Sequence, residues 1–268
     1  MNPVKIFSAT LLAVVSTFCV ALMGANYVTK QPSPASGQNG FAVVELFTSE
    51  GCSSCPPADD LLGKIHQEYK DKPVYVLAYH VDYWDRMGWK DAYGSAAYTQ
   101  RQSEYSDLLG SQLYTPQVIV NGETEFVGSD ERTLREKLVH TITGKATAQI
   151  AITAREANGS LFINYTITGN YKPAVLRLAQ VQKKAVRQIK RGENQGRTLT
   201  HLQIVRALNT STISANGKGK LQLPIPKDFI ENEWEVVAIV QDPATAKIYT
   251  ATKATLAVNA KHREQSKK

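Results

Sequence analysis

The chain is poor in sulfur. Its 268 residues hold three cysteines, and Cys19 lies in an N-terminal apolar run, so the body carries only Cys52 and Cys55. A disulfide framework needs more cysteines at longer spacing, and a four-sulfur zinc site within one chain needs a second pair. Both are excluded. There is no serine-nucleophile elbow, no zinc-protease helix motif and no internal repeat. The Gly192/Gly196 spacing is no phosphate loop, because no Lys-Ser/Thr follows it and no helix is signalled. The net charge of +7 is moderate. The basic residues are scattered and not interleaved with aromatics, which reads as a solvated face, so no nucleic-acid partner is expected. Hydrophobic residues make up 43% of the chain, enough for a packed core in one large or two small domains.

Long apolar stretches are missing except at the start. Lys5 supplies a short basic region, and residues 6–25 carry no charge. Residues 1–30 therefore read as a signal peptide or a signal anchor. Either one predicts export to the bacterial periplasm or cell envelope, with membrane attachment only through an uncleaved anchor. In such a compartment disulfides persist. Residues 31–40 are a linker by composition, and residues 260–268 a basic tail.

The most informative feature present is Gly51-Cys52-Ser53-Ser54-Cys55-Pro56. It follows an apolar run (41–47, broken by Glu45) and precedes a helical pattern over 57–69. A helix start offers partial positive charge and free N–H groups, which stabilise a thiolate. Cys55 lies close enough to close a Cys52–Cys55 disulfide. A strand is predicted over 74–80, an aromatic loop over 81–92 and a helix over 95–109. A strand over 117–121 turns at Asn121-Gly122 and returns over 123–127. A helix over 129–143 follows, with Ser129 as cap and Gly144 as stop. Beyond Gly144 the pattern becomes alternating and β-branched, with strands near 147–154, 161–168, 175–183, 199–208, 219–223, 235–241 and 247–257. The expected fold class is α/β followed by all-β: one domain over 41–144, then an antiparallel β-sandwich over 145–259.

These residues carry a resemblance. The Cys-x-x-Cys-Pro at a helix start and the later Tyr114-Thr115-Pro116-Gln117-Val118-Ile119-Val120-Asn121-Gly122 look like a thioredoxin-like fold with its cis-proline segment. The stretch Val44-Glu45-Leu46-Phe47-Thr48-Ser49-Glu50-Gly51-Cys52-Ser53-Ser54-Cys55-Pro56-Pro57-Ala58-Asp59 resembles the opening of DUF1223, a family of secreted bacterial proteins. His80-Val81-Asp82-Tyr83-Trp84-Asp85 and Gly192-Glu193-Asn194-Gln195-Gly196-Arg197-Thr198-Leu199 are similar to it as well. The resemblance implies fold and export; the family has no settled activity to carry over.

The candidate site residues follow. A Cys52 thiolate would attack a substrate disulfide, and Cys55, more buried, would resolve the mixed disulfide. Inert closure of a small loop and a metal site of the two cysteines with His80 are the alternatives. The resemblance implies a cis Thr115–Pro116 bond, which would set the Thr115 backbone beside the cysteines. Glu45, seven positions before Cys52, is either a buried proton acceptor for Cys55 or an edge or salt-bridged residue. Trp84 belongs to an aromatic loop that either binds peptide or caps the core. Residues 191–197 form a polar turn whose Glu193, Asn194 and Arg197 either clamp a loop or bind a partner, or which simply closes a long hairpin. The leading function is an envelope thiol–disulfide oxidoreductase acting on protein or peptide thiols and disulfides. It needs no cofactor, and as a reductant it would need a membrane redox partner. A binding or assembly protein and a copper-handling protein are the alternatives.

Overall fold

A computed structural model describes residues 40–256. The expected leader, all of the linker but Gly40, and the basic tail lie outside the described residues. Strand β1 (Ala42–Thr48) is buried at every position. A strand reads as continuously apolar when both sheet faces are covered, and that is its situation here. Helix α1 (Pro56–Glu68) starts with prolines in its first turn, where a missing N–H removes no helical bond. It turns the stripe Ala58, Leu61, Leu62 and Ile65 inward. β2 (Val74–His80) lies parallel to β1. Helix α2 (Ala96–Leu109) is capped by Ser95, whose side chain accepts from the Ala97 N–H, and ends at Gly110.

β3 (Gln117–Val120) runs antiparallel to β1 and hairpins into β4 (Thr124–Val127). Gly122, at φ +71°, allows that turn, and a Cβ there would sit 1.9 Å from the Ala246 carbonyl oxygen. Helix α3 (Glu131–Thr143) is capped by Asp130, one residue beyond the predicted Ser129. The Asp130 carboxylate accepts from both the N–H and the hydroxyl of Thr133, a pair of bonds that fixes the helix start.

The remaining strands are β5 (Ala148–Ala157), β6 (Ser160–Gly169), β7 (Val175–Gln188), β8 (Thr198–Thr212), β9 (Lys218–Pro224), β10 (Trp234–Gln241) and β11 (Ile248–Thr255). The fold is mixed α/β. Eight strands form one sheet in the order β11-β10-β7-β8-β2-β1-β3-β4, and β5-β6-β9 form a small antiparallel sheet. Neither is a closed barrel. The junction is β2–β8, parallel, with Ala78 opposite Ile204. Strands on either side of Gly144 thus share the main sheet. One face packs Phe47, Tyr79, Val181 and Val237 against Tyr98 and Tyr105 of α2. The other face carries α1 and α3 over β1–β3, and the small sheet over β7 and β10.

β7 and β8 are 14 and 15 residues long and stay paired beyond the sheet, from Lys184 opposite Leu202 to Gln188 opposite Thr198. β8 bends at Gln203, which takes φ +54°. The resulting two-stranded arm lies on α1: a Cβ on Gly63 would meet Leu202 Cδ1 at 2.7 Å. Among the described residues no helix is long and apolar enough to cross a membrane.

Candidate active site at the cysteine turn

β1 ends at Thr48, and the chain turns through Ser49, Glu50 and Gly51 onto Cys52. The Cys52 N–H donates to the Ser49 carbonyl, and the Cys55 N–H to that of Cys52. Cys55 caps α1 with its own backbone: its carbonyl accepts from the Ala58 and Asp59 N–H groups. Cys52 and Cys55 are joined in a disulfide with the sulfurs 2.11 Å apart. Ser54 Oγ lies 3.4 Å from Cys52 Sγ.

The expected contrast between an exposed Cys52 and a buried Cys55 is not found, because both are 0% exposed. The β7–β8 arm is bonded to the backbone of this turn. Its tip, residues 189–197, lies on the cysteine turn, and the Asn194 amide donates to the carbonyls of Glu50 and Cys52, each at 2.9 Å. The Glu193 carboxylate accepts from the Ser53 N–H at 3.1 Å, and the Ser53 side chain together with that N–H lowers its pKa. Arg197 in turn holds the Asn194 side-chain oxygen. The polar turn at 191–197 therefore clamps a loop, one of the three roles its sequence suggests.

Thr115–Pro116 is a cis peptide. Trp84 ties it to the cysteine turn. The indole N–H donates to Thr115 Oγ1 at 2.7 Å, and the Trp84 Cβ lies 3.1 Å from where a Gly51 Cβ would sit. Gly128 sits between Pro116 and Ala58, since a Cβ there would lie 3.1 Å from the first and 3.2 Å from the second. Cys52, Cys55, Trp84, Thr115 and Pro116 are thus gathered at the start of α1. Glu45 is not with them. It is buried on the α2 face of the sheet, ion-paired to Arg101 at 2.7 Å and accepting from the Tyr105 hydroxyl. That is the salt-bridged arrangement.

Beneath the turn lies a buried ionisable cluster that the sequence reading left unassembled. The Glu50 carboxylate accepts from Trp89 Nε1 at 2.7 Å and from Arg187 Nε at 3.2 Å, and lies 3.4 Å from His201 Nε2. Burial pushes its pKa up, but His201 and Trp89 bring it below the ordinary value. Asp91 joins Glu50 to His80: its Oδ2 accepts from the Glu50 N–H at 2.8 Å and lies 2.7 Å from His80 Nδ1. Burial opposes ionisation of Asp91, yet His80 holds it down to about 2. His80 moves the other way: burial lowers its pKa, but Asp91, with Asp59 and Glu50, brings it above the ordinary value. The His80 and His201 rings meet edge to face at 4.8 Å. Asp59 completes the group, bonded to Thr48 Oγ1 and pushed up by burial to about 6, against the pull of His201 and His80.

Asp59 was findable in the sequence, because a residue four positions after Cys55 shares its helix face. Glu50 and Asp91 carried no local signal, and Asn194 and His201 reach the site only through the arm. Among the described residues no group of three or more His, Cys, Asp or Glu side chains is arranged to hold a metal ion.

A family described as a protein of unknown function, DUF1223, matches residues 43–241. The chain belongs to the DUF1223 family. The matched span includes the cysteine turn, the cis-proline segment and the arm. The crystal structure of protein AGR_C_4864 from Agrobacterium tumefaciens is similar at 28% identity and a TM-score of 0.64, over 81% of this chain and 95% of that one. A domain of the outer membrane lipoprotein Omp28 from Porphyromonas gingivalis overlaps 41% of this chain and 88% of its own, at 13% identity and a TM-score of 0.26. No curated protein matches the chain.

Proposed function

We propose that this DUF1223 protein is an envelope thiol–disulfide oxidoreductase, with residues 41–144 as a thioredoxin-like unit and Cys52–Cys55 as its redox pair. The observation that carries the reading is the disulfide at the start of α1 with the Thr115–Pro116 segment held beside it by Trp84. In the oxidised direction, a substrate thiolate attacks Cys52 Sγ. The Cys52–Cys55 bond breaks, and its electron pair leaves on Cys55, which takes up a proton. A second substrate thiolate then displaces Cys52 as a thiolate, so the substrate is oxidised to a disulfide and the pair reduced to a dithiol. The reverse sequence reduces a substrate disulfide. Asp59, one helical turn after Cys55 and raised by burial to about 6, is the group we assign to exchange the Cys55 proton.

The arm gives the mechanism a first step. Cys52 is fully buried while Asn194 holds its carbonyl. The tip at 189–197 must lift before exchange, leaving Trp84 and Thr115 to contact an extended substrate. Placement in the envelope rests on the leader read from residues 1–30, and the substrates are protein or peptide thiols and disulfides. The test is a mixed-disulfide trap with Cys55→Ala in cells, alongside reduction of insulin disulfides by the purified protein. Capture of partners together with insulin reduction is the expected result. Failure of both sinks the enzyme reading.

The complete burial of both sulfurs favours one other reading, a non-catalytic envelope binding or assembly protein whose disulfide staples the turn under the arm. The Cys52 pKa in the reduced protein separates the two. A value near that of a free thiol, about 8.5, supports binding, and a clearly lowered one supports exchange.

A further inference from the structure

Two imidazoles beneath the cysteine turn are buried with nitrogens to spare. His80 is 0% exposed and His201 1%, yet His80 Nε2 and both ring nitrogens of His201 have no hydrogen-bond partner among the described residues. Buried polar atoms are ordinarily paired, and an exception calls for a reason such as proton chemistry. The fold sets both rings beside Asp59. Thr48 stands opposite His80 in the β1–β2 register, and its hydroxyl donates to Asp59 Oδ2 at 3.2 Å. Asp59 and Gly63, four residues apart, share a face of α1. The arm crosses that face where Leu202, next to His201, packs on Gly63. Tyr93 meets both imidazoles edge to face.

The charges around these rings resolve into pairs. Glu50 and Asp91 are held below the ordinary carboxylate range, so both are anions. Arg187, bonded to Glu50, and His80, bonded to Asp91 and raised, are the matching cations. Tyr93 is raised by burial and stays neutral, and Arg206 behind it is paired with Asp228. Asp59 and His201 remain. Together they are neutral in two arrangements, acid with imidazole or carboxylate with imidazolium, and each arrangement holds one titratable proton. Losing that proton leaves an unmatched carboxylate, and adding a second leaves an unmatched imidazolium beside His80. Both are unfavourable away from water. The pKa of Asp59 agrees: burial raises it, His201 and then His80 pull it back, and it settles at about 6.

We infer that Asp59 and His201 hold one proton between them, and that Cys55 takes up this proton when the disulfide opens. The inference rests on the redox reading and gives that site a pH control. A thiolate attacks Cys52 Sγ, the Cys52–Cys55 bond breaks, and its electron pair goes to Cys55. Cys55 takes the proton of the Asp59 carboxyl. His201 takes a proton from solvent, and the imidazolium so formed offsets the new carboxylate. His80, oriented through Nδ1 by Asp91, keeps a fixed positive charge facing the pair. His80 and His201 are positioning residues, because they act on Cys55 through Asp59. His201 lies outside the tip at 189–197, across the ladder from Ala185, so it stays in place when the tip lifts. Opening of the disulfide slows once the pH is high enough to strip the shared proton.

The experiment is the pH profile of Cys52–Cys55 reduction by dithiothreitol in the purified protein, each rate divided by the concentration of dithiothreitol thiolate. The native profile is expected to fall through one midpoint as the shared proton is lost. His201 favours the Asp59 carboxylate, so His201→Gln is expected to move that midpoint up by about one pH unit. A merely structural loss would scale the rates alike at every pH and leave the midpoint in place. Should His201→Gln fail to fold, carbon-13 NMR of the native oxidised protein decides: the Asp59 carboxyl and the His201 ring are expected to report the same titration steps, as a coupled pair must. A flat native profile, an unmoved midpoint in His201→Gln, or separate midpoints for the two side chains would each overturn the inference. Insulin reduction by the same samples tests the redox reading by itself. Its absence alongside an intact coupled titration would sink that reading and uphold the shared proton.

Discussion

Asn194 Nδ2 donates to the Cys52 carbonyl at 2.9 Å, closing a sequence gap of 142 residues. One side chain from the arm between β7 and β8 thereby ties down the backbone of the cysteine turn.

Asn194→Ala leaves the carbonyls of Glu50 and Cys52 without this buried donor. The expected cost is about 1–3 kcal/mol, read from urea unfolding. The same variant is expected to speed reduction of Cys52–Cys55 by dithiothreitol, followed by thiol labelling, because the arm tip is held less tightly. An unchanged reduction rate would show that the arm does not shield the sulfurs.

Asp59 makes stability depend on pH in a defined direction. Its pKa is raised from 3.8 to about 6, so its favourable contribution is fully present below pH 3.8 and lost as pH rises through about 6. The shift corresponds to about 3 kcal/mol. Asp59→Asn is expected to remove this slope, making the variant gain on the native protein between pH 4 and 7 when both are unfolded in urea. Parallel pH profiles would place the titrating group elsewhere.

The His80–Asp91 pair is expected to act with the opposite sign at acid pH. Asp91 is lowered from 3.8 to about 2, so its contribution is present above pH 3.8 and lost as pH falls through about 2. His80 is raised above 6.5, so its share is present below pH 6.5 and lost as pH rises through its folded value. Asp91→Asn strands a buried imidazole and weakens the support of the Glu50 N–H. A loss of about 3–5 kcal/mol at neutral pH is expected from equilibrium unfolding. A loss below about 1 kcal/mol would mean that the pair is dispensable.

Glu45→Gln tests the role of the strand acid. Its partner Arg101 is 5% exposed, so removing the carboxylate leaves a buried cation unpaired, at a cost of about 3–5 kcal/mol. The dithiothreitol reduction rate of the cysteine pair is expected to stay unchanged. A slower rate at unchanged stability would return Glu45 to the redox chemistry.

Much of the fold was legible because it is local. Prolines 56 and 57 and the 58/61/62/65 stripe mark α1, Ser95 and Gly110 bracket α2, and Asn121-Gly122 turns β3 into β4. The alternation beyond Gly144 identified strands but not their partners. A strand's period states which of its faces is apolar, whereas its neighbour depends on which distant strand presents matching edge and surface. In the site the same divide holds. The cysteine pair and the Thr-Pro segment are motifs, while Glu50, Asp91, His201 and Asn194 are ordinary polar residues until β8 bends at Gln203 and brings the arm over α1.

By itself the amino-acid order determined where the chain turns, where its helices begin, and that two sulfurs meet at a helix start, because those outcomes depend on neighbours within a few residues. Tertiary structure alone decided that β8 lies beside β2, that the arm bonds to the cysteine turn, and that Glu45 faces Arg101 instead of the sulfurs. Those outcomes depend on burying apolar faces and pairing charges contributed by segments far apart in the chain, and no local pattern encodes them.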